Sequence, residues 1–325
     1  MVAWNVRTLQ RRLSAILPEA RPASGGAHLE LTASSTEPAR LAAAPLIEES
    51  VLQSHSLSGS PVTAFRAFLD GTQRSEVANY IGPVPVVLGH TAAVIRERID
   101  RRMHTWSAPL TRKAIYVPRD MLQEVTWSTL SEELGAALVD TSRRAAEGGS
   151  HPFALRDAAF QRIQDDRELL ERSLAEQWCT TQPDPLFIDG GISGSAAIAT
   201  SRCAIGVVKT HRTLYAEGDA LTRVLDLSVA ERTSVFRVTS PKRTTVASWY
   251  LRLRDPDTRD PMWGLVRVEV SEPSGADVGL IGARADEVSR WILAEISPVA
   301  LPDPRWDRMA YGIYDCEQFL RATAG

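Results

Sequence analysis

The chain has 325 residues, 44% of them hydrophobic, with 37 basic against 40 acidic side chains for a net charge of −3. That is enough to bury a large core in one or two domains, and it excludes a disordered tail or a small stapled scaffold. It also excludes a protein that holds DNA by overall positive charge, so a nucleic-acid role must rest on a local patch or a partner. Cys179, Cys203 and Cys316 stand far apart and form no C-x-x-C pair, which speaks against a disulfide framework or a cysteine zinc site and for a reducing, cytoplasmic setting. Only Lys113, Lys209 and Lys242 are lysines, the other 34 basic residues being arginines, so a lysine kept against that bias points to a role arginine does not fill.

No run of about 18 apolar residues occurs, so no membrane span is expected and the chain reads as soluble. Val2, Val6, Leu9, Leu13 and Leu17 recur at near-helical spacing with Arg7, Arg11 and Arg12 between them, which predicts an amphipathic packing or docking helix over residues 1–17. Residues 18–40, rich in Pro, Ser, Gly and Ala, read as a linker, so residues 1–60 are expected to form an N-terminal helical arm and residues 61–325 the main domain. From Val62 the segment VTAFRAFLDGT predicts a strand ending at Asp70-Gly71, where the chain is expected to turn. Helices are predicted over 92–104 and 128–147, the second capped by Ser128 or Ser131, with a short strand over 113–118 between them. A long helix over 154–178 leads into LFIDGG (186–191), an apolar strand stopped by glycines. Strands follow over 203–211, 232–240, 245–255 and 263–272, then helices over 285–296 and from Cys316 to the end. Helix followed by buried strand is α/β grammar, and the later strands suggest a mixed or antiparallel sheet.

Two segments share a shape: AFLDG (67–71) and LFIDG (186–190) each deliver an aspartate at a strand's C-terminal end just before a glycine. Such an aspartate leaves the sheet at the crevice where α/β proteins place ligands, although Asp-Gly is also a common turn dipeptide. If the two strands are neighbours, Asp70 and Asp189 converge, and converging carboxylates call for protonation or a hard divalent cation. Glu168 and Glu171, one turn apart in RELLERSLAEQW, offer a third acid from the preceding helix; the alternative is a solvated charged face. Lys209 ends the strand AIGVV as a compact charge suited to a phosphate. Arg267 and Glu269 alternate with valines and so share a face, either gripping a phosphate or forming an ion pair. There is no P-loop, no H-x-x-x-H pair, and GGISGS (190–195) lacks the nucleophile-elbow frame, leaving only a weak nucleotide-loop reading.

Taken in order, FLDGT, the acidic helix, LFIDGG, AIGVVKTH, WYLRL, GLVRVEV and the terminal helix after AYGIYD resemble the NurA nuclease family, over roughly residues 62–322. The resemblance implies an α/β, RNase H-like mixed β-sheet flanked by helices, with a Mn²⁺ or Mg²⁺ pair cutting DNA. It further implies a homodimer docked on a HerA-type hexameric ATPase that pumps DNA, in repair or anti-phage defence. Carried over, the metal-holding acids are Asp70, Asp189 and Glu171 (or Glu168), with Lys209 and Arg267 neutralising charge on the reacting phosphate. The family's Asp-Gly-Ser is Asp-Gly-Thr here, and its late histidine is missing, with Asp315, Cys316 and Glu317 in that region. The missing histidine favours the alternative of an inactive scaffold subunit for an ATPase ring. A basic patch for DNA is expected at RERIDRRMH (96–104) with Arg112, Lys113 and Arg119, and the two terminal helices are the expected contacts with a partner.

Overall fold

The computed structural model describes residues 5–23, 39–145, 149–296 and 311–323. Val2 of the first helix, residues 24–38 of the expected linker and residues 146–147 of the helix expected over 128–147 lie outside them. The chain begins with α1 (Val6–Ile16), β1 (Ala20–Pro22), β2 (Arg40–Leu41) and β3 (Ser54–Ser56). A meander follows: β4 (Ala67–Ile81), β5 (Val84–Ile99), β6 (Arg102–Thr105) and β7 (Leu110–Val117). Next come α2 (Glu124–Leu134), β8 (Leu138–Asp140), α3 (Ser142–Ala145) and the long α4 (Pro152–Thr181). The second half holds β9 (Leu186–Asp189), α5 (Ala196–Ala199), β10 (Ala204–Val208), β11 (Thr213–Leu214), α6 (Asp219–Leu225) and β12 (Glu231–Thr233). It closes with β13 (Phe236–Val238), β14 (Val246–Arg252), β15 (Leu265–Ser271), α7 (Ile281–Glu295) and α8 (Tyr311–Thr323).

Among the described residues, thirteen strands form one mixed sheet in the order β3-β12-β14-β15-β10-β9-β4-β5-β7-β8, with β1 beside β4, β13 beside β14 and β6 beside β5; β2 and β11 make a separate ribbon. β9 runs parallel to β4 and β10 parallel to β9, while β15 returns antiparallel to β10. Parallel neighbours need a crossover, and α4 supplies the one between β7–β8 and β9. Trp178 Nε1 donates to the Asp184 carbonyl at 2.9 Å, fastening the end of α4 to the start of β9.

The central strands are apolar without a break because both faces are covered. Phe68, Phe187, Trp249 and Val268 pack under α7 and α8, through Val288, Ile292, Ile313 and Leu320. Leu69, Ile188 and Tyr250 face the other way, where Leu174 and Trp178 of α4 cover them. Gly312 lets α8 lie directly on Phe68: a Cβ there would come within 2.1 Å of the ring. Leu9 and Leu13 of α1 are wholly buried against Ala78, Val86 and Leu130. The buried apolar residues of both terminal helices therefore pack on this chain's own core.

Several sequence expectations are corrected. β4 does not turn at Asp70-Gly71 but continues to Ile81, because the ladder with β5 runs unbroken from Ala67↔Glu97 past Gly71↔Ala93; the chain reverses instead around Gly82, at φ +57°. Residues 92–104 are not a helix but the end of β5 and the start of β6, joined by a tight turn at Asp100 and Arg101, with φ 48° and 64°. The charged end of β5 is held between β4 and β6, and pairing on both sides overrides its helix-forming charged residues. The helix expected over 128–147 starts earlier and stops at Leu134 before Gly135, so Ser128 and Ser131 lie inside it and cap nothing. Residues 232–240 form two short strands, β12 and β13.

Part of the expected basic patch is paired within the chain, while Arg101, Arg102 and Lys113 stay exposed. Arg96 pairs with Asp315 at 2.6 Å, Arg98 with Glu295 at 2.6 Å, Arg112 with the buried Asp166 at 3.2 Å and Arg119 with Glu124 at 3.4 Å. The first two clamp α8 and α7 onto the sheet. Cys179 and Cys203, remote in sequence, meet with their sulfurs 3.7 Å apart as free thiols. No described helix is long and apolar enough to cross a membrane.

Candidate functional site

The parallel pairing of β4 and β9 ends at Leu69↔Ile188, so the next residue of each strand, Asp70 and Asp189, emerges side by side at the same sheet edge. Adjacent strands lie about 4.8 Å apart, which places the two carboxylates in direct electrostatic contact. Lys209 follows β10, the other neighbour of β9, and its Nζ donates to Asp189 Oδ2 at 2.7 Å. Glu171 arrives from α4 on the opposite face of the sheet. Gly71 makes that approach feasible, since a Cβ at this position would lie 2.2 Å from Glu171 Oε1.

Asp70 is 8% exposed, and its Oδ1 accepts the Gly71 amide at 2.8 Å. Burial, then the charges of Asp189 and Glu171, push its carboxyl well above the ordinary carboxylate range; Lys209 opposes this and Glu317 of α8 adds to it. Burial also pushes Glu171 up to about 7, against the opposing pull of Arg167, whose Nη1 donates to Glu171 Oε1 at 2.7 Å. Four acids thus share a small region, with Lys209 on Asp189, Arg167 on Glu171 and Arg321 on Glu317. Such a site favours protons or added cations, whichever are offered.

A cavity of about 460 Å³ opens beside this edge, walled by Glu171, Asp189, Arg167, Arg172, Lys242 and Arg243 among others. Glu168 lies on its rim, hydrogen-bonded to Gln164 within α4, so of the two helix acids Glu171 is the one placed over Gly71. Arg267 is not with the acids. It sits on β15, pairs with Glu269 at 2.7 Å and lies over the Tyr215 ring, 5.1 Å from its centroid. Glu269 accepts the Ile192 amide at 2.8 Å, tying down the Gly190–Ser195 loop. Arg267 and Glu269 are therefore an ion pair, on a face that is buried rather than solvated.

Two residues near the acids carry no isolated sequence signal. Arg167 sits in a run of alternating charges that reads as a wet helix face, and only the position of α4 over Gly71 gives it a role. Glu317 belongs to the last helix, in the region where the resemblance expects a histidine; its charge reaches Asp70 because α8 packs on β4. The neighbouring Cys316 is buried and donates to the Phe68 carbonyl at 3.3 Å, a structural contact.

Hard divalent cations take oxygen ligands, and Asp70, Asp189 and Glu171 are a fitting donor set in type and in crowding of charge. Among the described residues no three such side chains are already gathered at ligand spacing. Asp189 is turned to Lys209 and Glu171 to Arg167. No known protein family and no curated protein sequence matches the chain.

Proposed function

We propose that the protein is a metal-dependent DNA nuclease on an RNase H-like sheet, with Asp70, Asp189 and Glu171 holding Mn²⁺ or Mg²⁺. The observation that carries this reading is the emergence of Asp70 and Asp189 from adjacent parallel strands beneath Glu171. The run β7-β5-β4-β9-β10, an antiparallel meander followed by two strands parallel to its first, supports the RNase H-like assignment.

The cation, when bound, would supply Lewis acidity toward a phosphoryl oxygen and lower the pKa of an attacking water. The chain's own groups do the positioning. Lys209 fixes Asp189 and presents a point charge where negative charge grows on the phosphate. Arg167 fixes Glu171, and burial of Asp70 keeps the local dielectric low, which strengthens each of these interactions. With a net charge of −3, a sustained grip on long DNA is assigned to a second protomer and a HerA-type hexameric ATPase, in cytoplasmic DNA repair or anti-phage defence.

The test is cleavage of single- and double-stranded DNA in Mn²⁺, in Mg²⁺ and in EDTA, with and without such an ATPase. Wild-type protein should cut only with the cation, and Asp70→Asn or Asp189→Asn should lower the rate by at least about 10²-fold while circular dichroism and oligomer size stay unchanged. Wild-type protein inert in every condition would overturn the nuclease reading. The inactive scaffold reading would then stand, with Asp189–Lys209 and Glu171–Arg167 as self-sufficient ion pairs.

A further inference from the structure

A second cavity, of about 280 Å³, lies on the same sheet edge beyond the Gly190–Ser195 loop, sharing Gly191 and Arg243 with the cavity beside the acids. Its walls bring together Arg40, Arg212, Arg243 and Arg267, from four segments remote in sequence. Among the described residues only Arg267 has a carboxylate partner, Glu269. Arg212 Nε is buried with no hydrogen-bond partner there. Arg40 is held in place by its amide on the Arg212 carbonyl at 2.9 Å and its Nε on Thr213 Oγ1 at 3.0 Å. Four arginines lining a concavity with one carboxylate give it an excess of positive charge that favours an anion. The guanidinium fork matches phosphate in geometry.

We propose that this cavity is a phosphate-binding subsite that grips the nucleic-acid strand next to the phosphate held over Asp70 and Asp189. Two strand spacings separate β9 from β15, about 10 Å, the scale of a step or two between phosphates along a single strand. Arg243, on the wall common to both cavities, contacts the strand between the two points. The phosphate chemistry follows from the arginines; that the phosphate belongs to a strand rests on the nuclease reading.

The experiment uses the full chain in EDTA, so that binding is read without cleavage. The probe is a short fluorescein-labelled oligothymidylate, followed by anisotropy over a range of salt, with thymidine 5′-monophosphate and inorganic phosphate as competitors. Arg212→Gln/Arg243→Gln should weaken oligothymidylate binding by at least about tenfold and reduce the salt slope by about 0.7 for each phosphate no longer neutralised. Arg7→Gln/Arg11→Gln, an equal charge change at two exposed side chains on α1, should alter neither. Melting temperatures check folding, and Arg243→Gln alone, at an exposed side chain, provides a variant that does not disturb the interior.

Wild-type affinity and slope in the double variant would overturn the subsite. Variant-sensitive binding of the mononucleotide or inorganic phosphate, with oligothymidylate bound no more tightly than these, would overturn the strand assignment in favour of a small phosphate ligand. The nuclease reading fails separately: variant-sensitive oligothymidylate binding with no metal-dependent cleavage would leave the subsite standing. Normal cleavage with binding unchanged in the double variant would leave only the nuclease.

Discussion

Lys209 Nζ lies 2.7 Å from Asp189 Oδ2, a bond between the ends of two adjacent parallel strands. It joins the rarest basic residue type in this chain to one of the two aspartates that leave the sheet at the same edge. Lys209→Met removes the charge while keeping most of the stem's packing. With DNA and Mn²⁺ it should lower the cleavage rate by about 10²-fold, the scale of removing one electrostatic stabiliser of a transition state. Unchanged turnover would mean that the lysine serves the fold and not the phosphate.

Glu171 occupies the space over Gly71 that any side chain would need. Gly71→Ala should push Glu171 off Arg167 and cost about 1–3 kcal/mol of stability, as overpacking does, with cleavage falling in step. The cause is checked by a double-mutant cycle in urea. In a Glu171→Ala background the same Gly71→Ala change should cost under about 0.5 kcal/mol, because the clashing oxygen is gone. Additive costs would locate the strain elsewhere.

The convergence of Asp70 and Asp189 is legible in the sequence because two apolar runs each end in Asp-Gly, and parallel strands put like ends on one edge. The long α4 is legible too, as a stretch free of glycine and of proline past its first turn. The path of β4 beyond Gly71 is not, since the glycine that normally signals a turn is used here for the approach of Glu171. β5 hides its strand character because both of its faces are buried over Ala92–Ile95, which erases the alternation that marks a half-buried strand. Its hairpin with β6 turns on Asp100-Arg101 with no glycine to announce it. The four arginines of the second cavity are illegible for a different reason: nothing local in sequence links position 40 to 212, 243 and 267, and only the closing of β2 against β11 brings the first two together.

The N-terminal helix should behave as core. Leu13, wholly buried in a cluster with Ile81, Val84 and Leu134, should cost about 2–5 kcal/mol on replacement by alanine, read from the midpoint of urea unfolding. A docking arm would show almost no loss of stability and weaker partner binding instead. Removal of residues 1–17 should by the same argument lower the melting temperature sharply and reduce cleavage of naked DNA along with it.

His211 gives the fold a pH dependence whose sign can be worked out. Its Nε2 donates to the Leu265 carbonyl at 3.0 Å, so the lone pair sits on Nδ1, which is buried with no partner among the described residues. Burial lowers its pKa from 6.5 to about 4, opposed by the Leu265 bond and reinforced by the charges of Arg267 and Arg252. The unfolded chain therefore binds a proton that the folded chain refuses. The stability from this residue is complete above about pH 6.5 and drains away as the pH falls toward 4, by about 3 kcal/mol over the window. His211→Gln keeps a donor for Leu265 and has nothing to titrate, so its stability against pH should be flatter than wild type between pH 6.5 and 4, measured by urea unfolding at each pH. Parallel curves for the two proteins would show that His211 titrates normally and is solvated.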